Sequence, residues 1–365
     1  MRILIAPNAF KNSLNARDAA FAIRDGLMQS NLHCTCECFP IGDGGDGTGD
    51  LIIKKCGGVL IDAEVHDPLG RSMQASFGLI DAGKTAIIEM ANASGLRLLK
   101  PAELDPLHAI SFGTGEQIRI ALDEGATKII IGMGGSATVD GGTGILKALG
   151  INFLDEKGRT LSSLPENLAQ LVTVDTSRLD QRIFDCEVIV LCDVDNFLLG
   201  EQGAAAVFGH QKGASPEDVA KLEASLIKFT GAAGGAAAGL YAFLNAKLVN
   251  GVDYYLQLTD FDKALAQADL VITGEGSIDE QTLQGKVPFG VAQKAKSKGL
   301  PVIALAGKVP LAKDIKLQKY FDVLIPIGHE PFDMETALAS TSANLTRTSR
   351  EIGNLLALLK YGSDR

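Results

Sequence analysis

Three short apolar runs along this chain stop abruptly and become glycine-rich loops that carry acidic residues. Cys38-Phe39-Pro40-Ile41 leads into Gly42-Asp43-Gly44-Gly45-Asp46-Gly47-Thr48, Ile129-Ile130-Ile131 into Gly132 through Gly142, and Leu270-Val271-Ile272-Thr273 into Gly274-Glu275-Gly276-Ser277-Ile278-Asp279. Runs this short, bounded by glycine, predict buried strands. Ile3 to Ala6, Val188 to Cys192, Val302 to Leu305 and Val323 to Ile325 predict further strands of the same kind. Ala20, Ile23 and Leu27 share one helical face behind Asn15, a suitable N-cap, and Met334 to Leu359 predicts a closing amphipathic helix. Between Leu60 and Leu99 the pattern alternates instead around turns at Pro68-Leu69-Gly70 and Asp81-Ala82-Gly83, which predicts a β-rich insertion.

Parallel strands need crossover connections, so these elements predict an α/β fold of two domains. A discontinuous parallel-sheet domain is expected over residues 1–58, 106–150 and 258–365. It is interrupted by a second, mixed α/β domain over 59–105 and 151–257.

Charge narrows the partners. A net charge of −10 over 365 residues argues against nucleic acid and against an anionic membrane surface, so an anionic substrate must be held by local cations and helix N-termini. The opening Met1-Arg2-Ile3-Leu4-Ile5-Ala6-Pro7 is too short an apolar stretch for a signal peptide, and no run approaches the roughly 18 residues of a membrane span. A cytoplasmic protein is expected. Cys34, Cys36 and Cys38 alternate with Thr35 and Glu37, which places the thiols on one face of a strand as buried free thiols rather than at zinc spacing.

Glycine at the carboxyl edge of a parallel sheet lets backbone N–H groups approach phosphate, and carboxylates in the same loops call for a divalent cation between them and that phosphate. Lys11, just after the first strand, is placed to steady a phosphate or is a lone surface lysine. Asp193 and Asp195 share a face at the end of the Val188 strand, so they can hold one Mg²⁺ or form a solvated Asx turn. Lys212, in Gly209-His210-Gln211-Lys212-Gly213, is a second candidate phosphate cation. Glu275, Asp279 and Lys286 add two carboxylates and a third cation. Gly132-Met133-Gly134-Gly135-Ser136-Ala137 also fits a dinucleotide fingerprint, with Asp155 as ribose ligand, which keeps an NAD(P)-dependent oxidoreductase open as an alternative. There is no Walker A pattern, and the five histidines are scattered outside any catalytic motif. The Gly231 to Gly239 stretch is read as close backbone packing.

Taken in order, the segments Pro7 to Leu14, Asp43 to Thr48, Gly113 to Glu116, Gly134 to Thr138, Cys192 to Asn196, Phe208 to Ala214 and Thr273 to Pro288 resemble the type I glycerate kinase family. The resemblance implies a flavodoxin-like first domain, a second α/β domain and an active site in the cleft between them. It implies transfer of the ATP γ-phosphoryl group to a hydroxyl of D-glycerate, the 2-hydroxyl in this subfamily, with Mg²⁺; a kinase of the same fold acting on another small hydroxy acid is the alternative. The matching positions make Lys11, Asp43, Asp46, Lys212 and Glu275 catalytic candidates. Asn8, Ser13, Gly44, Gly45, Gly134, Gly135, Ser136, Thr138, Asp279 and Lys286 become substrate-binding candidates, and Asp193 and Asp195 metal ligands. The chain departs from the family pattern at Asn8 and Ala9, where Asp and Ser are usual, and at Val139, Phe197 and His210. Oligomeric state stays open, a homodimer among the options.

Overall fold

The computed structural model of the protein describes residues 1–192, 199–201, 203–230, 236–312, 314–330 and 333–363. Among these, the strands in chain order are β1 (Arg2–Ile5), β2 (Thr35–Cys38), β3 (Val59–His66), β4 (Ser72–Ile80), β5 (Thr85–Glu89), β6 (Lys128–Gly132), β7 (Asn152–Leu154), β8 (Thr173–Asp175), β9 (Glu187–Cys192), β10 (Lys247–Asn250), β11 (Leu270–Ser277), β12 (Val302–Lys308) and β13 (Val323–Pro326). The chain divides into two compact units, one of Met1–Asp43 with Val252–Arg365 and one of Gly44–Gly251. None of the described helices is long and apolar enough to cross a membrane.

The first unit is built on a five-stranded sheet ordered β13-β12-β11-β1-β2, in which every pairing is parallel. Numbered by appearance within this unit and read from the β2 edge, the order is 2-1-3-4-5, that of flavodoxin-like folds. Ile3, Leu4 and Ile5 are all buried, as expected of a strand covered on both faces. The helix Ala16–Met28 starts where Asn15 accepts the Asp18 N–H at 2.8 Å, and it buries Ala19, Ala20, Ile23 and Leu27. Cys34, Cys36 and Cys38 are free as expected but only half-buried rather than buried, and the Sγ atoms of Cys34 and Cys36 lie 3.8 Å apart. The closing helix differs from expectation. It is two helices, Met334–Ala339 and Thr341–Ser363, because Asp333 caps the first and Ser340 leaves helical geometry at its end.

The second unit carries a six-stranded sheet ordered β10-β9-β6-β5-β4-β3 and a small β7-β8 pair. β3, β4 and β5 are joined antiparallel, the β-rich segment expected from the alternation. β5, β6, β9 and β10 are parallel to one another. Its core gathers Phe77, Ile88, Ile129, Ile131, Leu146 and Phe153. The division differs from the sequence reading, which placed 44–58 and 106–150 with the parallel-sheet domain. β6 instead pairs Ile129 with Ala86 and with Val188, so its apolar run completes the second sheet. A buried parallel strand looks the same in sequence whichever sheet it joins.

Candidate active site

In a doubly wound sheet, ligands bind outside the carboxyl ends of the strands where the winding reverses. In the first unit that point lies between β1 and β11, and the Asn8 N–H donates to the Gly274 carbonyl there at 2.9 Å. The Asn8 side chain donates through Nδ2 to Asp43 Oδ2 at 2.9 Å and accepts the Ala9 N–H on Oδ1 at 2.7 Å. Glu275, near the end of β11, is buried and accepts a hydrogen bond from Thr282 Oγ1 at 3.0 Å. Burial pushes its carboxyl up to about 7, with Asp279 and Asp43 acting in the same direction and Lys286 and Thr282 offsetting part of it. Asp279 caps the following turn by accepting the Gln281 N–H at 2.9 Å. Lys286 is the half-buried N-cap residue of the helix Val287–Ser297. Asn8, Asp43, Glu275, Asp279 and Lys286 therefore form one charged group at the switch point. Lys11 is exposed beside it, its backbone N–H facing the side-chain position that Gly276 leaves empty.

In the second unit the loops after residue 43 and after β6 cross through glycine. The Gly134 N–H donates to the Gly44 carbonyl at 3.1 Å, and a Cβ on Gly134 would lie 2.4 Å from the Gly45 Cα. No larger residue fits that crossing. Gly44 itself takes φ +93° and donates its N–H to Thr48 Oγ1 at 3.0 Å. Asp46 is exposed, with its carboxylate 3.7 Å from the Arg97 guanidinium. Lys212 is buried and donates to Ser136 Oγ at 3.0 Å and to the Thr138 carbonyl at 2.6 Å. Burial pulls its ammonium down to about 8, partly opposed by Asp140.

A profile described as the glycerate kinase family matches residues 3–357. The chain belongs to the glycerate kinase family. It is 41% identical over 377 residues to a glycerate kinase of Bacillus subtilis, covering 99% of each chain. It is 40% identical over 379 residues to glycerate 2-kinase of Escherichia coli, covering 98% of each. A crystal structure from Salmonella typhimurium LT2, described provisionally as glycerate kinase 2, superposes with a TM-score of 0.82 at 40% identity over 100% of both chains. As a member of the glycerate kinase family the chain is a phosphotransferase with an alcohol group as acceptor.

Several candidate residues of this family member have structural partners of their own. Ser13 donates its hydroxyl to the Leu338 carbonyl at 2.5 Å, so it anchors the loop after β1 to the helix Met334–Ala339. Thr138 is buried and its carbonyl is held by Lys212. Asp193 and Asp195 lie outside the described residues. The dinucleotide reading requires a helix opening directly from the Gly132 loop. Here Ala137 to Gly142 is not helical, and the helix Thr143–Ala148 begins only after Asp140 has taken up the Gly142 and Gly144 N–H groups, both at 3.0 Å. Asp155 closes a turn on Arg159 and Lys157 rather than facing a ribose site.

Three polar residues escaped the sequence reading. Asp140 is buried and also accepts the Ser111 N–H at 2.8 Å and the Ser111 hydroxyl at 2.6 Å, which ties the starts of two helices together. Thr282 supports Glu275. Glu89 ends β5 opposite Gly132 and is buried, and burial pushes its carboxyl up to about 7 with help from Asp46 and Asp50. The signal for Glu89 was present: a charged residue directly after the apolar run Ala86-Ile87-Ile88, at a strand's carboxyl end.

Proposed function

We propose that this protein transfers the γ-phosphoryl group of ATP to the 2-hydroxyl of D-glycerate, giving 2-phosphoglycerate and ADP. The observation that carries the reading is the switch-point group of the first unit, where a buried carboxyl at about 7 stands among an amide, two further carboxylates and a lysine. A carboxyl in that range suits general-base help to a hydroxyl at neutral pH. Glu275 is assigned that task, Asn8 and Asp43 orient the acceptor, and Lys286 with the N-terminus of the helix Val287–Ser297 balances anionic charge.

In the second unit, the glycine loops at 44–47 and 132–136 are assigned to phosphate oxygens through N–H groups other than those of Gly44, Met133 and Gly134, which Thr48, Leu191 and Gly44 already accept. Lys212 acts there by holding the Ser136–Thr138 segment in place, a positioning role. Lys11 remains the exposed cation assigned to a phosphate or to the substrate carboxylate.

The carboxylate oxygens around these loops are hard donors of the kind Mg²⁺ takes, and Mg²⁺ commonly keeps only one or two protein carboxylates beside substrate phosphates. Asp193 and Asp195 are the proposed ligands. When bound, the ion supplies charge neutralisation between phosphate oxygens. Phosphoryl transfer asks mainly for such positioning and charge balance. Kinetics with D-glycerate, other hydroxy acids and Mg-ATP, read as ADP release, tests the proposal; D-glycerate should give the highest kcat/KM, and a preference for another acid would reassign the acceptor.

A further inference from the structure

Beside Glu89 the second unit holds a cavity of about 350 Å³ that the functional reading has left unused. Its floor is one sheet face. β4 and β5 pair Gly78 with Ile87, so Gln74 and Ser76 fall on the same side as Ile87 and Glu89. Asp50 and Ile53, from the helix Thr48–Lys55, line one side, and Asn92, Arg97 and Leu98 another. Leu60 stands at the rim, 60% exposed.

Glu89 fixes this architecture. Its Oε1 accepts the Gly49 N–H at 2.8 Å, and a Cβ on Gly49 would lie 2.8 Å from the Glu89 Cγ. The glycine lets the buried carboxyl brace the helix that begins directly after the Gly44–Gly47 loop. The cavity thus opens beside a loop already assigned to phosphate.

Charge and size select the occupant. The lining carries Asp50 and Glu89 against one cation, Arg97. That guanidinium already donates to the Ala91 carbonyl at 3.3 Å and to Asn92 Oδ1, and it faces Asp46 at 3.7 Å. An anionic hydroxy acid would meet two carboxylates and an engaged cation, and a three-carbon molecule would leave most of the volume empty. A neutral, flat heterocycle with hydroxyls suits the site better. Ile53, Leu60 and Leu98 offer apolar contact, Gln74 an amide edge, and Asp50 a carboxylate of the type that takes ribose hydroxyls. The volume lies in the roughly 300–1,000 Å³ range of pockets that enclose ligands of that size.

We propose that this cavity receives the nucleoside of the phosphoryl donor, its phosphates directed to the Gly44–Gly47 loop. The assignment rests on the reading of the protein as an ATP-dependent kinase for the identity of that donor.

Two variants, Ser76→Trp on the floor and Gln74→Trp at an exposed lining position, fill the cavity; the second carries the test if the first does not fold. Saturation-transfer NMR with adenosine alone, without metal or glycerate, should give a signal on the unaltered protein that both folded variants lose. In steady-state kinetics the KM for ATP should rise about tenfold or more in the variants, with the KM for D-glycerate within about twofold of the original. Absence of adenosine signal on the unaltered protein, or its survival in the filled variants, overturns the cavity assignment, as does a rise confined to the glycerate KM. Adenosine binding lost on filling, in a protein that does not phosphorylate glycerate, would instead remove the acceptor assignment and leave the cavity standing.

Discussion

The amide of Asn8 donates to the carboxylate of Asp43 across 2.9 Å, and the backbone of the same residue is bonded to Gly274 within the neighbouring strand β11. One residue therefore links the three loops that carry the charged group of the first unit. The glycerate kinase pattern usually has Asp at this position. Asn8→Asp would place two carboxylates within hydrogen-bond distance, and one of them must then hold a proton near neutrality. The acid limb of the pH profile of kcat/KM should gain an additional ionisation in this variant. A profile unchanged from the parent would contradict the contact.

Glu275 makes two predictions of opposite sign. Glu275→Gln removes the proposed base, and kcat should fall roughly 10²–10⁴-fold with the acid limb near pH 7 flattened. The same change should stabilise the fold at alkaline pH. A carboxyl whose folded pKa is raised to about 7 has its stabilising effect fully present below the ordinary carboxyl range and loses it as pH rises through about 7. Gln cannot ionise, so the variant should gain on the order of 1–3 kcal/mol over the parent between pH 5 and 8. Denaturant unfolding at the two pH values checks this; a variant less stable at pH 8 than at pH 5, relative to the parent, would refute the burial argument.

Lys212 shows the reverse linkage. Its folded pKa is lowered to about 8, so between about 8 and its ordinary value the unfolded chain binds more protons, and stability from this group rises with pH across that window. Lys212→Met should abolish that rise. It should also lower kcat/KM, because the Thr138 carbonyl and Ser136 lose the donor that holds them. Thermal melts at pH 7.5 and 10, run beside kinetics, distinguish this from a lysine that only contacts substrate, which would lose activity with no change in the pH dependence of stability.

Lys11 is exposed, so its loss should leave the fold intact. Lys11→Ala should lower kcat/KM by about 10²-fold, the scale of removing one donor that acts in the transition state. A melting temperature that falls markedly, or a kinetic effect below about tenfold, would return Lys11 to the solvated surface.

The fold was legible where apolar runs were long or sharply bounded. Ile3 to Ala6, Leu270 to Ile272 and Val302 to Leu305 form the sheet expected of them. Ownership of Ile129-Ile130-Ile131 was not legible, because only long-range pairing with Ala86 and Val188 decides it. In the first unit, Asn8, Asp43, Glu275 and Lys286, candidates supplied by the family resemblance, lie near one another, while Asp46 faces Arg97 instead. Ser13 is a substrate-binding candidate through the family resemblance alone, and its bond to the Leu338 carbonyl was not legible because it joins positions far apart in the chain. Asp140 was hidden inside a loop whose glycines drew the attention, and its role depends on Ser111, which sequence spacing does not connect to it.

The reaction proposed for this protein is phosphorylation of D-glycerate at the 2-hydroxyl by ATP with a divalent cation. Incubating the protein with D-glycerate, ATP and Mg²⁺ and assigning the product by phosphorus–proton correlation NMR tests it in one measurement. One ADP per phosphate ester is expected, with the phosphorus coupled to the proton on C2, and no turnover in excess EDTA. A phosphate on C3 would contradict the assigned regiochemistry, and turnover that survives EDTA would contradict the metal requirement. No ester at all would contradict the proposed reaction.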